Sequence, residues 1–261
     1  QYNELKAKGK KKILMLSWEF PPMVVGGLAR HVFDLSRKLV EQGTEVYVIT
    51  SSVPGYPEHE VNNGVHVYRV AGKQPKFESF FHWTGSLNLA ITEQAMALAN
   101  KFDFDCIHAH DWLVSVSALA IKKELNIPLI TTIHATEHGR NNGITSPLQY
   151  EINQKEWELM DGSDSLIVCS DYMKNELTGV FSIQEEKITI LPNGIDPEQI
   201  TLQSSPSIED KNDHNLLLFS VGRLVREKGF QTIIEAADIL RNSGKHVRFV
   251  IAGKGPLMDE L

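Results

Sequence analysis

The N-terminal part of the chain contains the feature that most constrains its fold, an apolar run followed by a glycine pair and an amphipathic segment. Residues 13–16 read as a buried strand, and apolar residues recur at helical spacing over 28–39. Gly26 and Gly27 therefore lie where a helix begins. The first helical turn carries unpaired N–H groups and a partial positive charge, and glycine lets an anion approach the backbone. The pattern predicts either a phosphate-binding site or a loop in which the two glycines only mark the end and bind nothing.

The alternation of strands and helices continues along the chain. We predict helices at 87–99, 114–125, 149–160 and 171–177, and strands at 45–50, 65–70, 106–110, 128–133, 165–169 and 187–191. The strand at 65–70 alternates apolar and polar residues, which indicates an exposed or edge strand. Most of the others are nearly continuous runs of Val, Ile and Leu, which favour a parallel sheet covered on both faces. The fold class is thus α/β, with a doubly wound sheet.

A change of composition predicts a domain boundary. Residues 193–214 carry turn signals and a polar stretch, and a strand at 216–221, a helix at 229–240 and a strand at 247–252 follow. We therefore predict an N-terminal domain at 1–192, a linker at 193–214 and a second α/β domain that begins at 215. Two strands and one helix leave sheet edges uncovered, so we expect the chain to stop at 261 inside that domain.

Composition narrows the classes of partner. The net charge of −7 argues against nucleic-acid binding, and we expect none. Cys106 and Cys169 lie in apolar, strand-like runs, which suggests buried thiols in a reducing compartment, and we expect a cytoplasmic protein. No apolar run has the length of a transmembrane helix.

Two basic residues frame the loop between the strand and the helix of the second unit. Arg223 and Lys228 lie at the carboxyl end of that strand, where a guanidinium and an ammonium could hold a diphosphate from two sides. The alternative is a solvated charged loop in which Glu227 pairs locally.

Histidines follow two neighbouring predicted strands. His108 and His110 share one face of a strand that ends at Asp111, and His134 comes directly after the next strand. Three interpretations remain open: a metal pair like that of metallohydrolases, a pair of hydrogen-bonded rings, or an imidazole that contacts a sugar. The Asp-Phe-Asp segment at 103–105 precedes its strand, so we read it as a turn and not as a metal site.

Taken together, several segments resemble the nucleotide-sugar glycosyltransferases of the two-domain GT-B type, family 4, and the related glycogen and starch synthases. They include Ser-Trp-Glu-Phe-Pro-Pro at 17–22 and His-Ala-His-Asp-Trp at 108–112. The full set comprises residues 17–22 with 26–28, 108–112, 191–196, 222–224 with 227–229, and 251–256. The resemblance implies two Rossmann-like domains, with an acceptor-side N-terminal domain and a nucleotide-sugar domain that begins at 215.

The resemblance also implies roles on the donor side. Gly26 and Gly27 would present N–H groups to the donor diphosphate, while Arg223 and Lys228 would neutralise it as it leaves. His110 would position the donor sugar and stabilise its oxocarbenium-like transition state. No metal or other cofactor is implied, because protein cations replace the metal.

Glu19 and His134 complete the set of substrate-binding residues that we predict. Glu19 would lie near the acceptor, and His134 lies just past its strand at the same edge. Val24 stands where starch-type synthases carry a lysine, which argues against ADP-glucose. The family's Glu-x7-Glu motif would lie beyond Leu261.

The resemblance thus implies a retaining transferase that moves a hexose, with glucose as the first expectation, from an ADP-, UDP- or GDP-linked donor to an α-glucan. We expect the present chain to be inactive alone. A non-catalytic glucan-binding fragment is the second hypothesis. The third is a metallohydrolase that uses His108, His110 and Asp111.

Overall fold

The computed structural model describes residues 9–72, 79–197, 216–245 and 247–261. Contacts within the chain divide it into two compact units, Gln1–Ile195 and Asp196–Leu261. Most of the predicted linker lies outside the described residues, so the predicted boundaries at 192 and 215 stay predictions.

An eight-stranded sheet forms the first unit and confirms the predicted α/β class. The strand order is β3-β4-β2-β1-β5-β6-β7-β8, and every neighbouring pair is parallel except β3 and β4. The order reverses between β1 and β5, where doubly wound sheets form a ligand-binding crevice beyond the strands' carboxyl ends. The strands are β1 Lys12–Leu16, β2 Glu45–Ser51, β3 His59–Asn62, β4 Val65–Val70, β5 Cys106–His110, β6 Leu129–Ile133, β7 Ser165–Val168 and β8 Ile188–Ile190.

Helices cover both faces of this sheet. Leu14 and Leu16 point into a core under the second and third helices, while Met15, between them, faces the first helix together with Val32. The strand period of two therefore fills two separate cores. The helices of this unit are α1 Gly27–Glu41, α2 Phe80–Ala99, α3 Ser115–Leu125, α4 Glu137–Asn141, α5 Pro147–Gly162 and α6 Asp171–Gly179.

Three elements differ from the sequence prediction. Helix α2 begins at Phe80 rather than 87, because the Ser79 side chain caps it by accepting from the backbone N–H of His82. Strand β3 was not predicted, and its antiparallel pairing makes β4 an inner strand of the sheet, so the prediction of an exposed or edge strand at 65–70 is wrong. Helix α4 was not predicted.

The second unit contains two parallel strands and a helix: β9 Leu216–Val221, α7 Phe230–Asn242 and β10 Val247–Ala252. The loops after the two strands pack closely. A Cβ atom on Gly253 would lie 2.0 Å from the carbonyl oxygen of Gly222, and one on Gly255 would lie 2.3 Å from that of Leu224. Only glycine fits at these two positions. Among the described residues, no helix is long and apolar enough to cross a membrane.

Candidate functional site

Glu19 is built into the loop that joins β1 to α1. Its side chain is only 2% exposed, and its carboxylate accepts hydrogen bonds from the backbone N–H groups of Val25 at 2.6 Å, Gly26 at 3.3 Å and Ala29 at 3.3 Å. The carboxylate therefore acts as an internal anion at the N-terminus of α1, where negative charge is favourable. Sequence reasoning placed this residue near the acceptor and missed its capping role.

The glycine pair faces open space. Gly26 is the N-cap of α1, and a Cβ atom added to Gly26 or Gly27 would meet nothing within 4 Å. The φ of Gly26 is −152°, which any residue adopts. Among the described residues, neither packing nor the backbone of Gly26 explains why glycine stands at both positions, and both glycines are exposed. The N–H of Gly26 already donates to Glu19, so it is not available to donate to a phosphate.

Three histidines converge beside this loop. His110 ends β5 and is fully buried, and its Nδ1 lies 3.2 Å from Nε2 of His134, which follows β6 and is half-buried. His31, on the second turn of α1, packs its ring 4.7 Å from that of His134 and 5.5 Å from that of His110. Helix α1 thus joins the glycine pair to the histidines. His31 was missed because nothing in a local helical pattern indicates a tertiary cluster.

Burial keeps these rings neutral. It lowers the pKa of His31 to about 4, with the neighbouring His134 adding to the shift, and it lowers the pKa of His134 to about 4, with Arg140 adding to it. Burial likewise holds the pKa of His110 well below its usual value. At neutral pH each ring therefore carries one N–H donor and one acceptor nitrogen.

Asp111 fixes the position of His134. Its Oδ1 accepts a hydrogen bond of 2.7 Å from the backbone N–H of His134, and its own N–H donates to the carbonyl oxygen of Thr132. Asp111 has φ 59° and ψ 173°. This backbone conformation is nearly exclusive to glycine and costs any other residue about 1–3 kcal/mol. Burial raises its pKa to about 6. The residue holds the β6–α4 loop against the end of β5.

The rings of His108 and His110 lie 4.3 Å apart, but these two histidines and Asp111 do not bring their ligand atoms to one point. The carboxylate of Asp111 turns to the backbone of the next loop, and Nε2 of His108 lies 2.8 Å from the hydroxyl of Thr132. Among the described residues, the histidines close enough to share a ligand are His31, His110 and His134.

Buried carboxylates hold helix α4 beside His134. Thr136 caps the helix by accepting from the N–H of Gly139 at 2.9 Å, and its hydroxyl donates to Glu176. Glu156 accepts from the N–H of Glu137 at 2.8 Å, and burial raises its pKa to about 8. Sequence reasoning missed both carboxylates, since each lies within an ordinary amphipathic helix.

The basic loop of the second unit has an apolar anchor. Leu224 and Val225 are buried, whereas Arg223 and Lys228 are exposed on either side of them. A short 3-10 turn at Arg226–Lys228 leads into α7 through Gly229, whose φ of +69° suits glycine. The two buried residues therefore anchor the middle of the loop, and the two side chains that are predicted to bind phosphate are exposed to solvent.

Known protein families and proteins are similar in sequence to this chain. The family described as Glycosyltransferase Family 4 matches residues 25–199, and the family described as Glycosyl transferases group 1 matches residues 203–261. The chain is 35% identical to glycogen synthase of Mycobacterium tuberculosis, over 96% of the chain and 63% of that protein. It therefore spans somewhat less than two thirds of the length of this curated relative.

Solved structures share the fold. Sucrose-phosphate synthase from Thermosynechococcus elongatus superposes with a TM-score of 0.70 at 16% identity, covering 94% of this chain and 71% of that one. Anabaena HepE, solved with UDP and glucose, gives a TM-score of 0.65 at 17% identity, covering 96% and 63%. The predicted GT-B class is thus confirmed. The chain belongs to family 4 of the glycosyltransferases and is similar to glycogen synthase.

Proposed function

We propose that the protein containing this chain transfers glucose from a nucleoside-diphosphate donor to an α-glucan and retains the anomeric configuration. One observation carries the proposal: α1 begins at an open glycine pair and, one turn later, sets His31 against His134. A glycine pair that could hold a phosphate and a cluster of neutral imidazoles thus lie at the crevice where the strand order reverses. The similarity to glycogen synthase supports the glucan, and the solved UDP complex of HepE supports UDP as the nucleotide.

In the proposed reaction, the bond between the anomeric carbon and the diphosphate oxygen breaks as the acceptor oxygen attacks from the same face. The acceptor proton passes to the departing diphosphate, so the products are the nucleoside diphosphate and the lengthened glycan. Arg223 and Lys228 would neutralise the charge that develops on the leaving group. Gly26 and Gly27 would line the diphosphate on the side of α1.

We assign the contact with the donor sugar to His134 and a supporting position to His110. His110 is fully buried, whereas His134 is half-buried, and its Nε2 lies 3.2 Å from Nδ1 of His110. A neutral His134 can donate to a sugar hydroxyl and still accept from the ring behind it. Glu19 shapes the loop beneath the diphosphate by capping α1.

The test is release of nucleoside diphosphate from UDP-glucose, ADP-glucose and GDP-mannose, with and without maltooligosaccharide. The chain and the natural gene product that contains it are assayed in parallel. We expect turnover with a glucose donor that rises when maltooligosaccharide is present. Glucan binding in the absence of any turnover would favour a binding module instead, and inactivity of the full gene product with every donor would overturn the proposal.

A further inference from the structure

Strand β4 places a buried arginine at the end of the core that lies under α1. Val65, Val67 and Arg69 alternate along the strand and are all buried, so they face the same side of the sheet. The two valines pack in the core beside α1. Arg69 takes the last inward position, and its side chain is only 1% exposed. Burial of a charge is costly unless the charge is well paired, so the partners of Arg69 indicate what it holds in place.

The guanidinium of Arg69 joins three segments at the carboxyl edge of the sheet. Its Nη2 donates to Oε1 of Glu60 in β3 at 2.6 Å and to the carbonyl oxygen of Pro21 in the β1–α1 loop at 3.0 Å. Its Nη1 donates to the carbonyl oxygen of Pro57 in the β2–β3 loop at 3.4 Å. The ring of Tyr56 has its centroid 5.4 Å from the guanidinium carbon. A planar guanidinium suits this arrangement, because its fixed fork of donors reaches several acceptors at once.

The contact with Pro21 falls within the loop that leads to the glycine pair. A second contact holds the same loop, since the hydroxyl of Ser51 donates to the carbonyl oxygen of Trp18 at 2.5 Å. Glu19, the residue whose carboxylate caps α1, lies between these two points of attachment. The path of the loop therefore sets where the cap, the helix and its exposed glycine pair are placed.

We propose that Arg69 is a positioning residue for the donor, which holds the β1–α1 loop at Pro21 and thereby places Gly26 and Gly27 beside the diphosphate. The inference rests on the proposed function, which puts the diphosphate next to this pair. The side chain of Arg69 is buried, and both of its terminal nitrogens donate to protein oxygens. It thus acts through the loop and does not contact the donor.

The first experiment compares Arg69→Lys with wild type in the natural gene product that contains this chain. Lysine keeps a positive charge for Glu60 but lacks the fork that reaches the two loops. We expect the donor KM to rise about tenfold, which corresponds to the loss of about one hydrogen bond, while the acceptor KM stays unchanged. The KM is measured with each donor that the protein turns over, and urea denaturation measures stability in parallel.

The matched control is Lys187→Met. Lys187 is also a partly buried cation that donates to two backbone carbonyl oxygens of a distant segment, those of Met160 at 3.0 Å and Asp161 at 2.6 Å, at the end of α5. Its removal should lower stability and leave the donor KM unchanged. An equal rise of the donor KM in Lys187→Met, or an unchanged KM in a folded Arg69→Lys variant, would show that Arg69 is structural only.

A second measurement needs no turnover. Amide hydrogen exchange of the chain itself reports on Val25 and Gly26, whose N–H groups donate to Glu19. Both amides should exchange several-fold faster in Arg69→Lys and in Ser51→Ala, and at the wild-type rate in Lys187→Met. Unchanged exchange in Arg69→Lys would overturn the positioning role alone, whereas inactivity of the full gene product with every donor would overturn the proposed function alone.

Discussion

The carboxylate of Asp111 accepts a hydrogen bond from the backbone N–H of His134, and this contact joins the end of β5 to the loop after β6. The two residues occur in separate motifs of the sequence, yet the carboxylate of one sets the backbone position of the other. A buried acid at the end of β5 thereby sets the backbone position of a half-buried histidine after β6.

Asp111→Ala tests this link. The variant leaves the backbone N–H of His134 without its acceptor, which should lower the free energy of unfolding by about 1–3 kcal/mol. Urea denaturation measures that loss, and nucleoside diphosphate release should fall in the full protein. Asp103→Ala, at an exposed position before β5, is the control and should change neither quantity. Normal stability and turnover in Asp111→Ala would contradict the link.

Glu19→Gln tests the internal anion at α1. Glutamine keeps one acceptor oxygen but removes the charge that favours the helix N-terminus, so we expect a loss of about 1 kcal/mol in unfolding free energy. Glu41→Gln, at the opposite end of the same helix, should not reproduce that loss. A selective rise in the acceptor KM with unchanged stability would instead favour the acceptor-side role predicted from the sequence.

His31→Gln should make the free energy of unfolding depend less steeply on pH in the acidic range. The pKa of His31 is about 4 in the folded chain against 6.5 in the unfolded chain, so the unfolded state binds more protons between these values. Its contribution is present above pH 6.5 and is lost as pH falls toward 4. Asp111 acts in the opposite sense in part of this window, because its folded pKa is raised to about 6. The difference between wild type and variant, measured by denaturation at several pH values, isolates the histidine.

Glu156→Gln should stabilise the chain at alkaline pH. Burial raises the pKa of this carboxyl to about 8 in the folded chain, from an ordinary value of 4.5, so its contribution declines as pH rises through that interval. Glutamine keeps the acceptor for Glu137 and carries no charge, and a gain on the order of 1 kcal/mol is expected at pH 8. Glu151→Gln, exposed on the same helix, is the control. Equal profiles for the two variants would refute the prediction.

Lys228→Ala should lower transfer by the full protein by roughly a hundredfold or more if the ammonium stabilises the departing diphosphate. Lys245→Ala, also exposed in the second unit, provides the matched loss of charge. Steady-state release of nucleoside diphosphate compares them. Unchanged kinetics in Lys228→Ala would remove that residue from the site.

The sequence predicted the sheet because each long strand and helix carries its own periodic signal. Strand β3 and helix α4 were missed because elements of four and five residues are too short for a period to show. Helix α2 was predicted too short since aromatic residues such as Phe80 and Trp83 are weak helix formers, and the cap at Ser79 outweighs that preference.

The site was predicted only in outline. His110 and His134 were proposed as site residues from their places at the ends of neighbouring strands, but His31 joins them only through the packing of α1. Local pattern likewise gives no sign that Glu19 folds back onto the N–H groups of its own loop or that Asp111 adopts a positive φ. These features depend on tertiary contacts, which a single sequence does not display.

The close approach of Gly253 to Gly222 fixes the distance between the loops that follow β9 and β10. There is no room for even a methyl group between the two loops, and the N–H of Leu224 donates to the carbonyl oxygen of Lys254, so the segment after β9 packs directly on the segment after β10. Arg223 follows Gly222 directly, so its backbone position depends on Gly253, the glycine that follows the neighbouring strand β10. A side chain at 253 would push the two loops apart and displace the guanidinium of Arg223 without contacting it.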